Sequence, residues 1–163
     1  MKKLFIILLC CLLLSGCRLF EPVPTIAPPI TAEPSSAPTE APLKSFALYY
    51  GDDNAEMFLS EEVLVPEINE AVVIEHLIRA GVLTDAVAVN SIQKNGTQLD
   101  IDFNQAFAVL VCSMGTSGEY IIVGSTVNTF LNAFHAETMC FTVDGEILES
   151  GHVIYDFPLE FTE

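Results

Sequence analysis

Thiols, imidazoles, hydroxyls and carboxylates are the groups in this chain that could do chemistry, and their spacing decides what kind. Of five cysteines, Cys10 and Cys11 sit in an apolar run, Cys17 follows Ser15-Gly16, and Cys112 and Cys140 stand far apart. Outside a cell the last two could join in a disulfide or remain small buried thiols, and spacing leaves both open. His76, His135 and His152 are scattered, with no pair at metal-ligand spacing, so no zinc site is expected. His152, following Gly151, reads as the partner in a local structural hydrogen bond. Asp52-Asp53-Asn54 with Glu56 is rich in oxygen. It lacks the central glycine and closing bidentate glutamate of a calcium loop, and reads as a solvated acidic turn. Ser113, Ser117 and Ser125 have no neighbouring base and no G-x-S-x-G elbow. Thr116-Ser117-Gly118 carries one glycine, too few for a phosphate loop. The expectation is no catalytic residue, no metal ligand and no cofactor: not an enzyme.

Cys17 is different because of what precedes it. Lys2 and Lys3 give a positive start, and residues 4–14 are uninterruptedly apolar. At 1.5 Å per residue that run covers roughly half of a ~30 Å hydrocarbon core, the length of a signal-peptide core and not of a spanning helix. It ends in Leu14-Ser15-Gly16-Cys17, which resembles the bacterial lipoprotein signal, the lipobox, at all four positions. The resemblance implies removal of residues 1–16 and acylation of Cys17 by a diacylglyceryl group. Two acyl chains, palmitate-like, hold stably where one is marginal. Cys17 is thus the expected lipidation residue and membrane contact, on the extracytoplasmic face of the cell membrane.

Residues 17–44 read as the acylated cysteine and its tether. Residues 21–44 hold seven of the nine prolines, mixed with Thr, Ser, Ala and Glu and without an aromatic residue. Such a stretch cannot build a core and favours extended polyproline II, about 75 Å long at ~3.1 Å per residue. The formal charge of −16 becomes −18 once Lys2 and Lys3 leave with the signal. That charge excludes nucleic acid as a partner and disfavours lying flat on anionic headgroups.

The elements that must position the remaining side chains lie in residues 45–163. Residues 46–50 read as a strand closed by a turn at Gly51-Asp52-Asp53-Asn54, and residues 58–65 as a second strand ended by Pro66. Residues 69–80 read as a helix, with Val73, Ile74, Leu77 and Ile78 on one face, a Glu75–Arg79 pair on another and Gly81 as a left-handed cap. Residues 88–92 and 98–103 form a hairpin about Asn95-Gly96. That turn sets Ile92 opposite Leu99 but Asn90 opposite Ile101, so a bulge or another register is required. Thr116 to Glu119 has the pattern of a capping box, opening a helix through Tyr120, Val123, Val127, Phe130 and Phe134. Ile121, Ile122 and Gly124 are poor helix formers, so packing must override propensity there. A second hairpin is expected from residues 138–143 and 146–148 about Asp144-Gly145. The order is β-β-α-β-β-α-β-β: a small single α+β domain, two helices packed on a mainly antiparallel sheet.

Several of these runs resemble, in order, the GerMN domain of sporulation and spore germination proteins. They are residues 70–81, ending in Arg79-Ala80-Gly81; Asn95-Gly96 with Leu99-Asp100-Ile101-Asp102-Phe103-Asn104; Val127-Asn128-Thr129-Phe130-Leu131; and Phe141-Thr142-Val143-Asp144-Gly145-Glu146 with Gly151-His152. The resemblance covers residues 45–156, a single copy, and lacks the family's proline near Asp85. It implies a non-enzymatic interaction module, similar to ring-building domains that help assemble envelope complexes, with an envelope or sporulation protein as partner. The helix from Tyr120 to Phe134, or an exposed edge strand, is the surface expected to meet it. The alternative is a module for a cell-wall fragment or a cation, using Tyr49 and Tyr50 beside Asp52 and Asp53.

Overall fold

The computed structural model describes residues 42–163. The signal segment, Cys17 and the tether up to residue 41 lie outside the described residues. Alternation puts Phe46 and Leu48 of β1 (Lys44–Gly51) on one face, opposite Val63 and Glu61 of β2 (Phe58–Val65) in an antiparallel ribbon. Phe46, Leu48, Val63 and Val65 are buried from that face. Helix α1 (Glu70–Arg79) is capped by Asn69, whose Oδ1 accepts the Val72 amide at 3.0 Å. It ends as expected, with Gly81 at φ +75° and Glu75 paired to Arg79.

Strands β3 (Val89–Asn95), β4 (Gln98–Phe103), β5 (Thr138–Val143) and β6 (Leu159–Glu160) form a separate four-stranded sheet in that order. The β3–β4 hairpin turns at Gly96-Thr97, so Ile92 lies opposite Ile101, not Leu99. A two-residue shift keeps every side chain on its face, which is why both registers satisfy the same alternation. The bulge is present as well. Asn90 is the extra residue between Val89↔Phe103 and Ser91↔Asp102. Its amide nitrogen reaches Asp102 Oδ2, the Phe103 carbonyl and Asp144 Oδ1 at 2.9–3.1 Å. β4 and β5 run parallel, with Leu99, Ile101 and Phe103 beside Met139, Phe141 and Val143.

Two helices, not one, make the connection between those parallel strands. Helix α2 (Gln105–Cys112) is apolar along almost its whole length, so no period marked it, and it buries Phe107, Ala108 and Val111. Phe107 stacks on Phe103 at 4.3 Å, and Phe130 and Phe141 meet Phe103 edge-on. Helix α3 (Thr116–Phe134) is buried at every residue from Ile121 to Leu131, which explains β-branched residues and a glycine inside a helix. The expected second hairpin is reduced to one bridge, Val143↔Glu146, after a turn with Asp144 and Gly145 at φ 49° and 82°. The chain then leaves the sheet, and the edge of β5 is taken by β6. The α+β class stands, with a third helix and two sheets.

Gly124 has a steric reason. A Cβ there would overlap the Phe58 ring, and one on Gly51 would lie 2.5 Å from Ile121 Cγ2. Both glycines let the ribbon approach α3. Gly→Ala inside a helix ordinarily adds up to about 1 kcal/mol of stability, whereas overpacking costs about 1–3 kcal/mol. Gly124→Ala is therefore expected to lower the urea unfolding free energy, and to cost less when made in a Phe58→Ala background than in the wild type.

Candidate functional site

Glu119 does not close a capping box. Gly115 is the N-cap of α3 and makes no side-chain cap bond. The Glu119 amide donates to the Gly115 carbonyl, and its side chain turns inward, 2% exposed. There Oε1 accepts from Ser150 Oγ at 2.5 Å and Tyr155 Oη at 2.7 Å, while Oε2 meets His152 Nδ1 at 2.8 Å. Burial works to raise the Glu119 pKa, but the Ser150, Tyr155 and His152 hydrogen bonds, with the His152 charge, outweigh it and hold it below the ordinary 4.5. Burial and then the bond to Glu119 push the Tyr155 hydroxyl far up, so it stays a donor.

These bonds tie residues 150–155 to α3. The carboxylate stands between serine and histidine, and the ring nitrogen that reaches the cluster bonds Glu119 and not Ser150. Ser150 Oγ therefore lacks the imidazole partner of a serine–histidine pair, and it also accepts the His152 and Val153 amides. The effect is a pin that draws residues 150–155 off the sheet and onto α3. His152 makes a structural bond, but to a residue 33 positions away and not locally.

The other singled-out residues are kept apart. His76 stacks edge-on against Phe46, and His135 is the left-handed C-cap of α3 at φ 51°. Among the described residues no group of three or more His, Cys, Asp or Glu could hold a metal ion. Asp52 Oδ1 accepts the Glu56 and Met57 amides at 2.7 and 3.0 Å, which hold its carboxyl below the usual range and close the β1–β2 turn. Tyr49 and Tyr50 point to opposite faces of β1, Tyr49 against Phe161 and Tyr50 toward the core, so they form no single platform. Ser113 bonds its own helix at Leu110, and Ser125 is buried with no partner. Cys112 is exposed, Cys140 half-buried, and both are free thiols.

What the structure does bring together is a ribbon with two unlike edges. On the β1 side, α3 supplies acceptors to the strand backbone: the Ala47 amide donates to Asn132 Oδ1 at 2.7 Å and the Tyr49 amide to Thr129 Oγ1 at 2.9 Å. Thr129 passes its own proton to the Ser125 carbonyl. Thr129 belongs to the Val127-Asn128-Thr129 run and Asn132 follows it directly, while Asn128 in turn clamps Thr162 through both its amide atoms, at 2.7 and 2.9 Å. Since Ala47 and Tyr49 point their amides outward, their antiparallel partners Glu62 and Ser60 must do the same on the far side. The Asp52 amide bonding the Met57 carbonyl fits that phase. Among the described residues no strand pairs with that far side of β2. Leu59 and Leu64 are 41% and 61% exposed there, flanking Glu61 and Glu62, which are exposed too. Composition could not single out this edge, because openness depends on what α3 covers.

No family model and no curated protein matches the sequence. Among solved structures, the fold is similar to the tandem GerMN domains of the sporulation protein GerM from Bacillus subtilis. The TM-score is 0.52 at 14% identity, covering 80% of this chain and 49% of that one. A chain assigned as a lipoprotein from Clostridium perfringens aligns with TM-score 0.49 at 18% identity, over 73% of this chain and 88% of that one. The GerMN-like fold is the content of the first likeness.

Replacing Glu119 by Gln turns one acceptor toward the cluster into a donor, and loss of a charged hydrogen-bond acceptor costs about 2 kcal/mol. Because the Glu119 pKa is depressed on folding, its stabilisation is complete above the ordinary 4.5 and disappears as pH falls through the lower folded value. The gap in urea stability between wild type and Glu119→Gln should be flat at neutral pH and close in that acid window. Asp52 and Asp102 are depressed in the same sense, but they are common to both proteins and cancel.

Proposed function

We propose that this chain is a lipid-anchored, extracytoplasmic interaction module, non-enzymatic, that docks a protein of the envelope or of sporulation by strand addition at β2. The observation that carries the reading is the asymmetric ribbon: one edge closed by Thr129 and Asn132, the other presenting the outward amides of Ser60 and Glu62. An open strand edge is a template for a further strand, and backbone bonds supply affinity there. The GerMN-like fold, seen in a sporulation protein, supports the assignment to that kind of process. The lipobox supports the anchor, and no described helix is long and apolar enough to cross a membrane. A tether of about 75 Å would let the module reach partners well away from its lipid. The wall-fragment or cation alternative loses its proposed platform, since Tyr49 and Tyr50 diverge and Asp52 is engaged by its own turn.

The anchor and the edge are tested separately. Cys17→Ala should abolish incorporation of labelled palmitate and leave the protein extractable without detergent. Ser60→Pro removes an outward donor while sparing the β1 ladder, whereas Glu61→Pro breaks that ladder. The first is expected to keep the melting profile and to lose in-cell photo-crosslinks formed from position 62. The second is expected to cost about 1–3 kcal/mol of stability through the lost ladder bond and the acceptor it leaves unpaired. Crosslinking undiminished by Ser60→Pro would remove the edge as the docking site.

A further inference from the structure

Resting on the reading of β2 as the docking edge, we infer that its occupant is an extended segment with two adjacent basic residues flanked by apolar ones, and not a second copy of this chain. Four exposed side chains carry the inference. Glu61 and Glu62 are consecutive, so they project to opposite faces, and each faces a residue of any strand laid alongside. Leu59 lies on the face of Glu61 and Leu64 on that of Glu62. Directly opposed cross-strand pairs interact favourably when charges are opposite or both members are apolar, and unfavourably when charges are like. A matching strand therefore reads apolar, any, basic, basic, any, apolar. The positions between face Ser60 and Val63; Val63 is buried toward β1 and the core, so little is demanded there. The pattern is the same in either direction, so the edge accepts an antiparallel or a parallel strand of that composition.

A second copy fails on charge. Antiparallel self-pairing along this edge opposes residues of like phase, so the registers centred on the segment place Glu61 opposite Glu61, or Glu62 opposite Glu62, of the other copy. The rest of the ribbon offers no compensation, because the turn adds Asp52, Asp53 and Glu56 and the sole basic residue of the ribbon, Lys44, is at the far end of β1. Consecutive glutamates on an open edge are the device by which sheet proteins refuse their own kind. Here they also select for the opposite charge. Among the described residues no other exposed patch combines unpaired backbone with so regular an array: the cleft between α3 and β6, about 550 Å³ and lined by Asn132, His135 and Phe161, offers room but no convergent set of groups.

The test uses the mature acylated protein in detergent micelles and fluorescein-labelled octapeptides, TVTKKTVT and TVTEETVT, read by anisotropy. The lysine probe should bind at least tenfold more tightly than the glutamate probe and weaken with added salt. A charge-reversed protein, Glu61→Lys with Glu62→Lys, should invert that preference. Ser60→Pro, which leaves the charge unchanged, should weaken the lysine probe at least tenfold while circular dichroism shows the fold retained. Sedimentation should give one protein chain per micelle-bound unit. Equal binding of both probes, lost with Ser60→Pro, would overturn the basic partner and leave the edge as docking site. Lysine-probe binding indifferent to Ser60→Pro would be charge attraction elsewhere and would overturn both, as would no binding by either probe. A dimer that Ser60→Pro dissociates would overturn the exclusion of a second copy.

Discussion

A helix buried on every side can carry polar side chains only where each finds a partner, and α3 is such a helix. Glu119, Thr126, Asn128 and Thr129 are all within it and almost wholly excluded from water. Thr126 and Thr129 return their protons to carbonyls one turn back. Asn128 holds the C-terminal segment at Thr162, Glu119 holds residues 150–155, and Thr129 with Asn132 holds β1. Unpaired, each such group would oppose burial by about 1–3 kcal/mol; among the described residues Ser125 Oγ is the one buried side-chain polar atom without a partner. The polar stripe of α3 therefore acts as the joint at which strand, tail and loop are fixed.

That joint explains why the ribbon has one usable edge. A two-stranded ribbon is marginal in isolation, and here it is stabilised by burying Phe46, Leu48, Val63 and Val65 and by giving its inner edge to α3 side chains. Phe58 lies over Gly124 and meets Tyr120 at 5.3 Å, which packs the turn end of the ribbon against α3. The outer edge is left to water or to a partner, and Glu61 and Glu62 stand guard on it. Of the Tyr120–Phe134 helix expected from the sequence as a contact surface, residues 121–131 are buried, and Tyr120, 47% exposed, lies beside the ribbon and not on its open edge.

Elements whose signals are local could be read directly. The α1 cap, its Glu75–Arg79 pair and Gly81 depend on neighbours within a few positions, and the alternation of Leu99, Ile101 and Phe103 depends on a period of two. The misread features had a local signal compatible with two outcomes. Asn95-Gly96 suggested one turn, but moving it by one position preserves the alternation. Thr116 and Glu119 match a capping box, yet a glutamate at that position serves equally well turned inward once three donors await it. Residues 106–111 carry no polar interruption from which a helical period could be drawn.

By itself the sequence determined the class of the domain, its acidity, the lipid-signal pattern at Cys17, the proline-rich spacer and most strands and helices, because composition and short-range periodicity settle those. Only the tertiary structure decided which backbone amides are covered and which are offered. The bonds that cover β1 link residues 85 and 80 positions apart, and those that pin Glu119 span 31 to 36. Hydrogen-bond satisfaction in the interior is a property of the packed chain, not of any window along it.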